Sequence, residues 1–282
     1  MTPILPVPPL VLVFAASDPS CGAGIHADIL TLSSLGCHPL AVITALTVQD
    51  TVGVESVHPV DSETVERQAR SLLEDMPVAA FKVGVLGSVE NVVAVAEIVA
   101  DYPDIPLVLD PVLASGRGDE FANEDLRAAM KELLLPQCSV VTPNTLEGRR
   151  LVEEDGDEEG APEEDLSSVA ARLLAYGPRY VLLTGAHEQT SRVTNSLYGE
   201  DGLIRQDHWE RLPGSYHGSG CTLASAIAAC LAGGYDIGEA VREAQEYTWQ
   251  TLAHGFRPGM GQFIPDRLFW ARGEAESSPE DG

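Results

Sequence analysis

Positive charge is what this sequence has least of. Lys and Arg number 17 against 43 Asp and Glu, giving a formal net charge of −26 and a pI near 4.4. So acidic a surface repels phosphate backbones and anionic lipid, which argues against nucleic-acid or membrane binding as the main task. A nucleotide site in such a chain has to be a local exception, built from backbone N–H groups, a metal and a few cations. The acid excess also suits a saline habitat, where hydrated carboxylates keep a protein in solution.

Other absences narrow the field further. The five cysteines (21, 37, 138, 221, 230) contain no C-x-x-C pair, so neither a disulfide framework nor a zinc site is expected. No run of about 18 apolar residues exists to span a bilayer. The Pro-rich start, Met1 to Leu10, lacks the basic segment of a signal peptide, and a soluble, cytoplasmic protein is expected. No G-x-x-x-x-G-K-[ST] occurs, which excludes a P-loop kinase. With 44% hydrophobic and 21% charged residues, bulk disorder is excluded too.

What is present is an alternation. Short apolar runs at Leu10–Ala15, Leu40–Leu46, Ala80–Val83, Leu107–Leu109, Val140–Thr142 and Tyr180–Leu183 read as strands buried on both faces. Helical patterns lie between them, at Ala23–Leu35, Ser62–Asp75, Val89–Ala100, Asn123–Leu134 and Leu166–Ala175. This order predicts an α/β fold with a mostly parallel sheet and sites at the carboxyl ends of its strands. Val193–Tyr198 and Leu203–Arg205 read as an antiparallel hairpin, and Cys221–Leu231 and Gly238–His254 as closing helices. We expect an N-terminal extension over 1–9, a single domain over 10–270 and a disordered acidic tail over 271–282. Glu153–Asp165, with nine carboxylates in thirteen residues, reads as a solvated loop.

Three segments carry candidate chemistry. His217-Gly218-Ser219-Gly220-Cys221-Thr222-Leu223 precedes an Ala-rich helix. Its glycines let backbone approach a ligand closely, and the amides and dipole of the helix start face any anion placed there. That positive end would also stabilise a Cys221 thiolate, able to take a proton from a substrate hydroxyl. A small buried cysteine at a Gly-rich helix start fits the string equally. Gly218-x-Gly220-x-x-Ala224 matches the dinucleotide fingerprint in letters only, since it follows no parallel strand. The second segment, Ala15 to Asp28, follows the first strand. There Asp28 reads either as a ligand for a substrate hydroxyl or amine, or as a carboxylate favoured by the helix dipole. In the third, Thr142-Pro143-Asn144-Thr145-Leu146-Glu147, Asn144 and Glu147 share a helix face. They suit Mg²⁺, with Asp110 joining through water, or else form a capping box.

In order along the chain, the segments resemble those of the ribokinase-like superfamily, and within it the hydroxymethylpyrimidine/phosphomethylpyrimidine kinases of thiamine biosynthesis. The resemblance spans about residues 10 to 262. It is carried by 16–28, by Val42 to Thr51, by Lys82-Val83-Gly84, by Leu109-Asp110-Pro111-Val112, by Thr142 to Glu147, and by Gly218 to Leu223. It implies a three-layer α/β/α sandwich and ATP-dependent phosphorylation of 4-amino-5-hydroxymethyl-2-methylpyrimidine or its monophosphate. Cys221 would be the base, the 218–221 backbone (Gly218, Ser219, Gly220) would hold the transferring phosphoryl group, and Asp28 and Gln49 would bind the aminopyrimidine edge. Gly24, Val85 and Val112 would complete that pocket. ATP would lie by Asn144, Thr184, Gly185, Gly218 and Gly220, and Mg²⁺ by Glu147, Asn144 and Asp110. A homodimer is implied as well.

The chain departs from the family pattern at four places. Thr184-Gly185-Ala186 stands where Lys-Gly-Gly is usual, and Ser115-Gly116-Arg117-Gly118-Asp119 where Ala-Lys-Ser-Gly-Asp is usual. Val85 replaces a methionine and Ala16 a glycine. The phosphate site is therefore a lysine short, and Arg117 is expected to swing over the phosphates in compensation. Two other readings stay open: a pyridoxal-type or other vitamin kinase of the superfamily, and a ligand-binding regulator without catalysis.

Overall fold

The computed structural model describes residues 7–114, 121–153, 165–186, 188 and 191–272. Its strands are β1 (Leu10–Ser17), β2 (His38–Gln49), β3 (Val54–Pro59), β4 (Val78–Val83), β5 (Leu107–Leu109), β6 (Val140–Val141), β7 (Tyr180–Thr184), β8 (Arg192–Gly199) and β9 (Gly202–Glu210). Its helices are α1 (Gly24–Ser34), α2 (Ser62–Asp75), α3 (Val89–Ala100), α4 (Glu124–Ala129), α5 (Thr145–Val152), α6 (Leu166–Ala175), α7 (Ser219–Ala232) and α8 (Ile237–Ala253). The strands form one sheet in the order β3-β2-β1-β4-β5-β6-β7-β8-β9. From β2 through β7 the neighbours in this order run parallel, while β3, β8 and β9 pair antiparallel at the two edges.

The side-chain period of two makes the layers. In β1, Leu10, Leu12 and Phe14 pack under α2 and α3, while Val11, Val13 and Ala15 pack under α1, α7 and α8. The second layer tolerates close helices because α7 buries mainly Ala and Ser. This is the ribokinase-like three-layer sandwich. The chain runs from β1 outward to β2 and β3, then returns to the other side of β1 as β4. Such a reversal opens a crevice at the carboxyl ends of the strands.

Three elements differ from the sequence reading. β3 was not expected, because Val54-Glu-Ser-Val-His-Pro pairs at an edge, half exposed, and needs no apolar run. The pattern over Asn123–Leu134 is not one regular helix: α4 widens into a π-helical turn at Met130–Leu134 before Pro136. α5 begins at the Asn144 cap. Residues 154–164 of the acidic run, the tail from 273 and residues 1–6 lie outside the described residues. Among the described residues no helix is long and apolar enough to cross a membrane.

Helix starts differ in how they are capped. Asp61, Ser88, Asn123 and Asp236 each cap a helix by accepting from a first-turn amide, which contributes about 1 kcal/mol apiece. α7 has no such cap. Its N-cap is Gly218, with φ of 78°, and no side chain takes its first amides.

Candidate active site

A cavity of about 440 Å³ runs along the carboxyl ends of the parallel strands. Ala15 and Ala16 of β1, Lys82 of β4, Thr184 of β7, and Asp110 and Thr142 just beyond β5 and β6 reach it. Gly24, Gln49, Val85 and Val112 line it. So do Asp110, Asn144, Glu147, Gly218, Ser219, Gly220, Cys221 and Thr184. Most residues singled out in the sequence therefore share one cavity. Asp28 and Gly185 do not line it, and Arg117 lies outside the described residues.

Lys82 occupies the floor, and the sequence reading assigned it no role. Its side chain is 0% exposed and sits 3.0 Å from both carboxylate oxygens of Asp28, with Asp110 Oδ2 at 3.9 Å. Burial works against its charge, yet Asp28, Cys221 and Asp110 together hold it above the usual lysine range. The sequence signal was there: a lysine between Phe81 and Val83 in a strand buried on both faces. Asp28, expected at the substrate edge, is instead wholly buried beneath the cavity, its carboxylate taken by Lys82 and by the Ser225 hydroxyl at 2.7 Å. It neutralises the lysine rather than facing a ligand.

Cys221 enters this cluster from the first turn of α7. It is half-buried on the cavity wall, with Asp110 and Lys82 as its charged neighbours. Its thiol is nonetheless pushed well above the ordinary range, first by burial and then by the charge of Asp110. Burial and the two carboxylates thus work against the thiolate expected from the helix end, while Lys82 works for it. Asp110 is itself raised by burial, and its Oδ2 has no hydrogen-bond partner.

Asn144 and Glu147 form the capping box. Asn144 Oδ1 accepts from the Glu147 amide at 2.9 Å, and Glu147 Oε2 accepts from the Asn144 amide at 2.9 Å. The Leu113 amide donates to Oε1 at 3.4 Å. Structural capping and a position on the cavity wall thus coincide. Burial, and then the charge of Asp110, push the Glu147 carboxyl up to about 8. Two carboxyls short of compensation, one with an orphaned oxygen, fit a divalent cation. Among the described residues no group of three or more His, Cys, Asp or Glu is gathered to hold a metal ion.

A second acid organises the loop before α1. Asp18, 1% exposed, accepts from the Ser20 amide and hydroxyl, from the Ala23 amide at 2.7 Å, and pairs with His217 Nε2 at 2.9 Å. Burial would raise Asp18, but these donors, His217 foremost, hold it below the usual carboxylate value. The pair ties the first glycine loop to the last. Close approach explains two glycines here: a Cβ on Gly218 would lie 2.0 Å from Gly22 O, and one on Gly24 would lie 2.3 Å from Ala16 O.

The outer wall is different in kind. Gly185 is buried and donates to Asn195 Oδ1 at 3.0 Å, behind the lining. Arg211, which the sequence reading passed over, lines the cavity beside Thr184 and Ala186. It donates to the carbonyls of Ala186 at 2.7 Å, Glu188 at 2.6 Å and Gly185 at 3.4 Å. Trp209 and Trp249, stacked at 6.4 Å, complete this end.

With this geometry in hand, comparison with known proteins is informative. The family described as phosphomethylpyrimidine kinase matches residues 18–266. The chain belongs to that family. It is 40% identical over 271 residues to the hydroxymethylpyrimidine/phosphomethylpyrimidine kinase of Streptomyces coelicolor, covering 95% of this chain and 97% of that one. Among solved structures, pyridoxal kinase from Staphylococcus aureus in complex with AMP-PCP and pyridoxal superposes with a TM-score of 0.84 at 28% identity, over 95% of this chain and 96% of that one. Phosphomethylpyrimidine kinase from Clostridium difficile gives 0.73 at 30% identity, over 86% and 99%. The protein is therefore an ATP-dependent kinase.

Proposed function

We propose that the chain phosphorylates 4-amino-5-hydroxymethyl-2-methylpyrimidine and its monophosphate in thiamine biosynthesis, giving the diphosphate, with Cys221 as base. The observation that carries this reading is the meeting of Cys221, Lys82 and Asp110 in mid-cavity, directly at the uncapped start of α7.

The aminopyrimidine would lie against Gly24, Val85 and Val112, with Gln49 hydrogen-bonding its edge. Its hydroxyl oxygen attacks the γ-phosphorus of ATP while its proton passes to Cys221 Sγ, and the bond to the ADP oxygen breaks. A thiolate whose proton affinity is raised is a strong base once formed. Asp110 is the second cause of that rise, so whatever compensates Asp110 also eases ionisation of Cys221. The amides of Ser219, Gly220 and Cys221 meet charge developing on the phosphoryl oxygens. Asp110 and Glu147, with Asn144, would hold Mg²⁺, which when bound neutralises phosphate charge. Lys82, kept charged by Asp28, adds a fixed positive centre below the reacting atoms. The nucleotide would extend toward Thr184, where Arg211 supplies a cation on the wall, so Arg117 is not needed to supply it alone.

A pyridoxal-type kinase is the second reading, favoured by the closer superposition on the Staphylococcus aureus pyridoxal kinase than on the Clostridium difficile enzyme. ADP release measured with the aminopyrimidine alcohol, its monophosphate and pyridoxal separates them. The account predicts kcat/KM for either pyrimidine at least about tenfold above pyridoxal, roughly one substrate hydrogen bond. A preference for pyridoxal would overturn the substrate, and no ADP with any alcohol would restore the regulator reading.

A further inference from the structure

Arg267 follows α8, one residue past the segment that the family comparison matches. It is 2% exposed. Its Nε donates to Thr222 Oγ1 at 3.0 Å, and one terminal nitrogen donates to Gly22 O at 2.7 Å and Gly218 O at 3.3 Å. The other terminal nitrogen reaches Cys21 O at 3.5 Å. Among the described residues no carboxylate lies within 4.0 Å of it. The neighbouring Asp266 pairs with Arg272 instead. A buried arginine ordinarily has an acid partner. In a chain with 43 acids, this one has, among the described residues, only neutral acceptors, from the two loops that meet beneath the cavity and from the first turn of α7.

The backbone of Arg267 is held as well, since Tyr247 donates its hydroxyl to the Arg267 carbonyl at 2.8 Å. The consequence follows from peptide planarity. In a trans peptide the carbonyl and the next N–H point opposite ways. The Gly218 carbonyl accepts from Arg267, from the Thr222 hydroxyl at 2.8 Å and from the Thr222 amide at 3.0 Å. Its partner N–H, on Ser219, is thereby turned away from the guanidinium, on the residue that lines the cavity. The Gly22 carbonyl is fixed likewise, and the N–H of that plane goes to Asp18.

We infer that Arg267 is a positioning residue for phosphoryl transfer, clipping the 21–22 turn to the start of α7 so that the α7 amides face the transferring group, with its unpaired positive charge behind them. The inference rests on the kinase reading of the same cavity. Preorganised donors of this kind act on the reacting state more than on the bound substrates.

The test is steady-state kinetics of Arg267→Met and Arg267→Lys with ATP and the aminopyrimidine alcohol, together with amide exchange over 218–222. Arg267→Met should lower kcat about 100-fold while both KM values stay within about threefold, and Arg267→Lys should recover about tenfold of the loss. Exchange at the Thr222 amide, which is bonded to the Gly218 carbonyl that Arg267 holds, should speed up by about tenfold in Arg267→Met and less in Arg267→Lys. The exchange needs no substrate, so it judges Arg267 even if the wild type leaves this alcohol untouched. A folded Arg267→Met with wild-type kcat, or with unchanged exchange, overturns the inference. Should the methionine variant not fold, the lysine variant decides: kcat reduced about tenfold at unchanged KM supports it, and wild-type kcat overturns it.

Discussion

The two ends of the cavity are held by different means. At the floor, charged groups are buried and tied to one another or to backbone: Lys82 to Asp28, Asp18 to His217, and Glu147, though short of a compensating charge, to the α5 cap. At the outer wall, beside Thr184, the lining includes backbone, stacked tryptophans and Arg211 braced on carbonyls. A buried network cannot lose one member without exposing another to an uncompensated charge, whereas the wall can exchange one cation for another at small cost. That contrast makes a threonine at 184, where the family resemblance leads one to expect a lysine, tolerable at the wall.

Breaking the floor should have the largest effect. Lys82→Met leaves Asp28 and Asp110 facing each other's charge, and should cost about 3–5 kcal/mol in urea unfolding along with all measurable turnover. Adding Asp28→Asn should return much of the stability and none of the activity. Equal stability of Lys82→Met and wild type would mean that the floor is not a coupled unit.

Glu147 gives a pH signature of the same network. Its folded value, about 8, lies above the ordinary 4.5, so between these values the unfolded chain has released a proton that the native one keeps. Native stability owed to this carboxyl is thus greatest below about pH 4.5, declines as pH rises to about 8, and is flat beyond. Asp18, held low, contributes the opposite way and loses its share on acidification. In metal-free buffer, Glu147→Gln should remove a decline on the order of 4 kcal/mol between pH 5 and 8. An unchanged slope would contradict the assignment.

At the wall the effects should be smaller and should divide by substrate. Gln49→Ala should raise KM for the pyrimidine about tenfold with KM for ATP unchanged, the loss of one hydrogen bond. Arg211→Gln should do the reverse, raising KM for ATP by about five- to tenfold. If Arg117→Ala raises it and Arg211→Gln does not, the compensating cation comes from 117. Smallest of all, Thr184→Lys should lower KM for ATP about two- to fivefold, within the range of one exposed ionic contact.

Much of this was legible beforehand, for physical reasons that differ by element. The parallel strands are buried on both faces and read as apolar runs, and the glycines of 218–220 announce a backbone approach. β3 was invisible because an edge strand obeys no such pattern. Asp28 was misplaced because a carboxylate early in a helix looks the same whether it faces a ligand or a lysine 54 residues away. Cys221 was read as a stabilised thiolate because the helix end is local and visible, whereas its half-buried place on the cavity wall near Asp110 is a tertiary fact. Arg211 and Arg267 carry no motif; only the folded chain brings them to the loops they hold.

The base assignment remains the centre of the account, and Cys221→Ala tests it most directly. ADP formation should fall by at least about a thousandfold, while calorimetric affinity for the aminopyrimidine alcohol stays within about threefold of wild type. Turnover near the wild-type rate in that variant would contradict the account and move the proton to another acceptor in the same cluster.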